Sequence, residues 1–403
     1  MNPPATEENT SLYPLAQEAA LSTGPDRAVL AQLHRRVSLL LPPLLSTQRS
    51  SWEQGVTAQA LLELVAHPSG ITIFPPALDY LRGLVHDALV RQGPDGRLAV
   101  LLNGDGTSDA GALDPACIGQ SIFFLLSSPH LSSANPSAAV TIISRMEDGV
   151  GRMLNYILHA CPKAPLSSVD SSLGELLSHR TDSVQVWSDS IILASLALQS
   201  PSGLWSHIYD LDNKEFQRKA HWGVGNGWVC CGIVRMFCIL AAVIFRLGAD
   251  APLVQTLRTD PNIGIQVRRC YVILMRTFES CLLHIRPDGL FHNIIDDQSS
   301  FVEVNLSQQL SYTAYRLLEF HRNPSPLVKE CFDLPAVGSE VRQRWEKMAE
   351  LMRNAAMEKT DEWGFVRDVC GSPRFDAPGT AAEGQAWGVL MEVARAQYLF
   401  SKE

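Results

Sequence analysis

The chain has 403 residues, 46% of them hydrophobic and 19% charged, and a formal net charge of −9. That is ample apolar matter for a sizeable core and more chain than one average domain needs. The acidic balance, with no run of Lys or Arg, excludes a nucleic-acid binder built on clustered cations. It leaves an anionic substrate open, because local charge in a cleft outweighs the total.

Residues 1–26 are polar, Pro-bearing and aperiodic, and read as a loose arm ahead of a single domain over 27–403. A basic start followed by an apolar core is absent there, so no secretory signal is evident. The nine cysteines include no Cys-x-x-Cys pair. Both features lead us to expect a reducing, cytoplasmic setting. From Val29 onward helix-like apolar periodicity recurs, as in Ala58-Gln-Ala-Leu-Leu-Glu-Leu-Val and Trp387-Gly-Val-Leu-Met-Glu-Val-Ala, while strand-like alternation is scarce and short.

Six helix starts then carry unusual residues. The first three are Ser51-Trp52-Glu-Gln-Gly, Leu113-Asp114-Pro-Ala-Cys-Ile-Gly and Trp187-Ser-Asp189-Ser. The later three each follow a short Gly-aromatic or Gly-aliphatic turn. Gly203-Leu-Trp-Ser-His207-Ile-Tyr-Asp leads to Gly225-Asn226-Gly-Trp228. Asp288-Gly-Leu-Phe-His leads to Glu303-Val-Asn-Leu-Ser, and Trp363-Gly-Phe-Val-Arg-Asp to Gly379-Thr-Ala-Ala-Glu-Gly-Gln. Their spacing, roughly 40 to 80 residues, suits a long helical hairpin plus loop. Six hairpins around a ring would make an all-α toroid with every start loop at one end; an irregular helical protein with look-alike turns fits the periodicity as well. The longest apolar stretch, Trp228 to Leu247, is interrupted by Arg235 and Arg246 and reads as a buried helix, not a membrane span.

The starts gather Trp, Asp, Glu, His and Asn. Indoles stack on apolar sugar faces while acids handle protons, so this cargo suits a carbohydrate site. For any one residue a helix N-cap or a core aromatic is the plainer account, but it has to be invoked separately at every start. No His-Glu-x-x-His, Cys/His cluster or calcium loop occurs, so no metal or other cofactor is called for. Gly223-Val-Gly-Asn-Gly has the wrong spacing for a phosphate loop, and no Gly-x-Ser-x-Gly elbow is present.

In order, these motifs resemble the unsaturated rhamnogalacturonyl hydrolases of glycoside hydrolase family 105, which are related to the unsaturated glucuronyl hydrolases of family 88. The resemblance runs from about Trp52 to Trp387 and rests on the ordered set, no one motif being decisive. It implies an all-α (α/α)6 barrel of six helical hairpins. It also implies an enzyme that releases an unsaturated uronic residue by hydrating its C4=C5 enol ether, with a small carbohydrate as partner and no cofactor. On that resemblance Asp189 is the catalytic acid and base. Asp114 is the second acidic residue, which would keep Asp189 protonated by like-charge repulsion. His207, Trp187, Trp222, Trp228, Trp52 and Asn226 bind substrate. A helix-cap role suits Asp189 poorly, since Thr181, Asp182 and Ser183 already offer caps upstream.

One departure stands out. The family's Trp-x-Arg-Gly-Asn-Gly-Trp is here Trp222-Gly-Val224-Gly-Asn-Gly-Trp228, and valine cannot replace a planar guanidinium. Recognition has then moved elsewhere, with Arg180, Arg286 and Arg367 as candidates. Otherwise the chain is a repurposed relative that protonates or hydrates another small molecule, or a catalytically silent carbohydrate-binding protein.

Overall fold

The computed structural model describes residues 25–67, 73–127, 136–165, 175–190, 198–322, 324–372 and 374–400. Residues 1–24 of the expected N-terminal arm lie outside the described residues. In chain order the helices are α1 (Pro25–Thr47), α2 (Trp52–Ala66), α3 (Ala77–Val90), the short α4 (Leu113–Ala116), α5 (Gly119–Ser127) and α6 (Pro136–Asn155). The second half adds α7 (Gly223–Leu247), α8 (Pro252–Thr259), α9 (Pro261–Leu282), α10 (Asn305–Arg322), α11 (Pro326–Phe332), α12 (Ser339–Glu358) and α13 (Ala382–Phe400).

Two kinds of helix alternate. Along α2, α10 and α13 nearly every residue is buried, on all faces. The outer helix α12 buries only a stripe: Trp345, Ala349, Met352, Arg353, Ala355 and Ala356. A helix buried all round must be surrounded, and a striped one lies outside. The packing follows: α2 touches α3, α5 and α13; α13 touches α1, α2 and α10; α10 touches α7, α12 and α13. The last helix thus closes onto the first two. This is the all-α (α/α)6 barrel the motifs imply. The hairpin opened by Trp187-Ser-Asp189-Ser continues into residues 191–197, which lie outside the described residues.

The repeated glycine turn is one structure. In Gly203, Gly289 and Gly364 φ is 93°, 83° and 88°, the left-handed region that costs glycine nothing. In each the glycine N–H donates to the carbonyl three residues back. Each glycine also presses on an outer helix. A Cβ on Gly203 would strike Ser280 of α9, one on Gly289 would strike Leu351 of α12, and one on Gly364 would strike Leu39 of α1. The last of these carries the pattern across the chain ends.

Helix α7 stands in the inner wall at its N-terminal half, against α9 and α10. Its Arg235 pairs with Glu63 of α2 at 3.1 Å, and Arg316 of α10 donates to the same carboxylate at 2.6 Å, with the Tyr312 hydroxyl at 2.7 Å. Burial opposes the Glu63 charge, but the two guanidiniums and the hydroxyl outweigh it and lower its pKa. Phe245 and Leu247, at the far end of α7, are exposed.

Short antiparallel strands fill the loops before inner helices. These are β1 (Lys163–Pro165) with β2 (Glu175–Leu177), β3 (Gln185–Trp187) with β4 (Ile208–Asp210) and β5 (Glu215–Arg218), β6 (Phe291–His292) with β7 (Val302–Glu303), and β8 (Val369–Gly371) with β9 (Arg374–Gly379).

Candidate active site

The helix starts meet around a cavity of about 780 Å³. Its wall includes Asp114, Asp189, His207 and the tryptophans at 52, 187, 222 and 228. Seven of the eight residues singled out in the sequence therefore share one space. Asn226 does not. It is fully buried, its Oδ1 accepts from the Trp205 N–H, and its Nδ2 donates to the carbonyls of Trp205 and Trp222. The expectation that Asn226 binds substrate is corrected: its amide is used up in clamping the turn before His207 onto the start of α7.

Three strands set the geometry. Trp187 pairs with Ile208, and Ile208 with Arg218, while the Ser188 N–H donates to the His207 carbonyl and the His207 N–H to the Arg218 carbonyl. Asp189, His207 and Arg218 thereby come side by side from three separate stretches of sequence. Asp189 sits in the 3-10 turn Ser188–Ser190, which packs on α7. That approach needs Gly225, because a Cβ there would collide with Ser188 Oγ.

An aromatic row crosses the floor. His179 stacks on Trp187 at 3.9 Å, His207 meets Trp187 edge-on at 5.4 Å, and His207 leans on Trp222 at 4.4 Å. His207 is 4% exposed, and neither ring nitrogen has a partner among the described residues. Burial, helped by Arg218 and His179, pushes its pKa down to about 3, so the ring is neutral. A neutral imidazole offers one donor and one acceptor, and both are unspent here.

The acids differ in setting. Asp114, on α4, keeps about a fifth of its side chain open (21%), with its Oδ2 3.8 Å from His179 Nε2. Burial, then the charge of Asp109, raises its pKa to about 7. Burial raises the Cys117 thiol too, and the charges of Asp114 and Asp189 add to it, so both carboxylates lie near that sulfur. Glu383, at the start of α13, also lines the cavity and is 4% exposed. The Trp52 indole bonds it, yet burial and the charge of Glu53 raise its pKa to about 8. Beside it Ser51 holds φ 80° and ψ −142° with its hydroxyl buried and unpartnered. That conformation costs a serine about 1–3 kcal/mol and is typical of sites where geometry is enforced.

Sequence reading missed His179, Arg218, Arg374 and Glu383, all in the wall. Glu303, a motif residue, is instead a helix cap: its carboxylate accepts from the N–H groups of Asn305, Leu306 and Cys370. Val224 is wholly buried against Trp222 and Cys370, behind the wall and not part of it. Of the three arginines proposed to replace it, only Arg180 reaches the wall, and it is held by Asp109 and Asp182. Among the described residues no group of three or more His, Cys, Asp or Glu side chains is placed to hold a metal ion.

No protein-family model and no curated protein sequence matches the chain. Solved structures do. A possible member of the GH105 family from Klebsiella pneumoniae is similar at 13% identity, over 98% of this chain and 100% of that one, with a TM-score of 0.59. A possible GH105 member from Salmonella enterica gives 13%, 97%, 100% and 0.58. An unsaturated glucuronyl hydrolase from Bacillus sp. GL1, described as responsible for the degradation of glycosaminoglycan, gives 11%, 92%, 96% and 0.51. Over almost its whole length, the chain has the six-hairpin fold that these GH105 and unsaturated glucuronyl hydrolase structures share.

Proposed function

We propose that this chain, as one domain over 27–403, is a glycoside hydrolase that hydrates the C4=C5 enol ether of an unsaturated uronyl sugar. Asp189 gives its proton to C4, leaving an oxocarbenium-like centre at C5. Its carboxylate then takes a proton from the water that adds there. The hemiketal so formed opens to the ketone and expels the aglycone as an alcohol. Asp114 sets the protonation of Asp189, and His207, Trp52, Trp187, Trp222 and Trp228 hold the sugar.

The observation that carries this reading is the cavity: Asp114 and Asp189, a neutral histidine with both nitrogens unspent, and four indoles around one sugar-sized space. The likeness of fold to a possible GH105 member and to a structure named an unsaturated glucuronyl hydrolase agrees with it. Val224 favours the second reading, a relative turned to another small molecule.

The experiment is incubation with 4,5-unsaturated galacturonyl and glucuronyl disaccharides, following loss of the C4=C5 absorbance. Asp189→Asn should fold normally and lose about 10²–10⁴-fold in turnover, the usual share of general acid–base catalysis. Undiminished turnover in that variant would overturn the mechanism.

A further inference from the structure

Three guanidiniums line the cavity wall, at Arg180, Arg218 and Arg374. Arg180 is committed. Its Nη2 lies 2.6 Å from both Asp109 and Asp182, and its Nε donates to Asp182 at 2.8 Å. Arg218 is placed differently. It ends β5, beside the backbone of His207, with its guanidinium carbon 5.9 Å from the centre of the Trp222 ring. Its side-chain partner is Asp376 of β9, at 2.8 Å. Asp376 is 81% exposed and the Arg218 side chain 25%. So exposed a pair orients a side chain while binding it weakly, and it leaves most of a five-donor fork for a ligand. Arg374, two residues before Asp376 on the same strand, makes no ion pair among the described residues.

Resting on the function proposed above, we infer that Arg218, seconded by Arg374, binds the C6 carboxylate of the uronyl sugar, and that Asp376 holds the fork in place until that carboxylate arrives. Planar bidentate recognition of a carboxylate is what a guanidinium does best. Val224 is buried and carries no charge, whereas β5 brings a guanidinium to 5.9 Å from the centre of the Trp222 ring. The substrate class follows: a free uronate, ahead of its ester or of a neutral sugar.

The test compares a 4,5-unsaturated uronyl disaccharide with its C6 methyl ester. Arg218→Gln should raise KM for the acid about 10- to 100-fold, the worth of hydrogen bonds to a charged group, with kcat little changed. KM for the ester should not move. Arg218→Lys should recover part of the loss, and Asp376→Asn should lower KM for the acid. Equal effects on acid and ester, or weaker acid binding in Asp376→Asn, would overturn the assignment. Tryptophan fluorescence titrations with glucuronate and methyl glucuronate give the same comparison without turnover. If no unsaturated uronide is hydrolysed, the proposed function fails while these titrations still decide the Arg218 site. An acid-over-ester preference that Arg218→Gln abolishes supports it, and no preference in the wild type overturns it.

Discussion

Glu383→Gln should weaken the pH dependence of folding stability. Glu383 is 4% exposed, and its Oε2 has no partner among the described residues. Burial first, then the charges of Glu53, Asp189 and Glu303, carry its pKa from 4.5 to about 8 against the Trp52 hydrogen bond. The unfolded chain releases this proton near its ordinary value. Between the two values the folded protein therefore binds a proton that the unfolded chain has lost. Stability must fall as pH rises from about 4.5 to about 8, and level off above. Each unit is worth about 1.4 kcal/mol. The interval, 8 − 4.5 or about 3.5 units, thus amounts to about 5 kcal/mol at most, and to less where neighbouring acids share the proton. Glutamine keeps the shape and a donor but has nothing to ionise. Urea unfolding followed by circular dichroism at about pH 5 and pH 8 reads the difference. The wild type should lose stability steeply over that range, and the variant should be spared up to about 3.5 kcal/mol of the loss. Asp114 and Glu303, both raised to about 7 by burial, keep the residual slope. Equal losses in the two proteins would mean that Glu383 is ionised in the folded state and would refute the argument.

Asp114→Asn should lower the rate and move the optimum of kcat/KM to lower pH. A nearby negative charge helps an acid keep its proton, and Asp114 carries one only above about 7; an unmoved optimum would separate it from proton transfer. Glu63→Gln takes from Arg235 its ion-pair partner and leaves Arg316 only Glu319, each arginine side chain being 9% exposed. Breaking a buried pair in this way costs about 3–5 kcal/mol, read as a fall in the urea midpoint, and a loss under about 1 kcal/mol would contradict the reading. Val224→Arg should overpack the cluster of Trp222, Cys370 and Phe375 and cost about 1–3 kcal/mol in thermal unfolding. It should bring no gain in uronide affinity; tighter binding would show that position 224 faces the substrate.

The sequence made the barrel legible where its signals are long. Residues 58–65 and 387–394 are apolar except at Gln59, Glu63 and Glu392, a pattern that suits an inner helix, and the turn glycines mark where hairpins join. The resemblance of the ordered motifs singles out Asp114, Asp189, His207 and four tryptophans, and the loops at one end of the ring bring them into one cavity wall. What stayed hidden lies in β3, β4 and β5, which have three, three and four residues. So few residues carry no measurable alternation, so Arg218 had no register by which to be placed beside His207. Asn226 misled for another reason: a polar residue in a glycine-rich turn reads as a ligand contact, whereas this amide satisfies backbone groups around Trp205. Glu383 stood inside a recognised motif. Its raised pKa, however, comes from burial and then from Glu53 at the far end of the chain, a pairing that only closure of the barrel creates.

The acids and the histidines of the cavity divide the labour by charge. His207 stays neutral down to about pH 3, and burial lowers His179 as well, so the acid limb of any pH–rate profile cannot belong to His207. The alkaline limb of such a profile, where a proton donor is lost, should report the carboxyls, two of which, Asp114 and Glu383, still hold their protons at pH 6. An enol ether needs a proton held ready near neutral pH, and an apolar wall of indoles is what keeps carboxyls in that form. Were Asp114 and Glu383 both ionised, their charges would repel a uronate entering the cavity. Held neutral, they leave Arg218 and Arg374 to set the potential that an anionic sugar meets on entry. The same burial therefore serves both ends of the proposed reaction. It keeps protons available in the cavity wall, and it keeps two further carboxyls from competing with a bound carboxylate for Arg218, whose partner is Asp376.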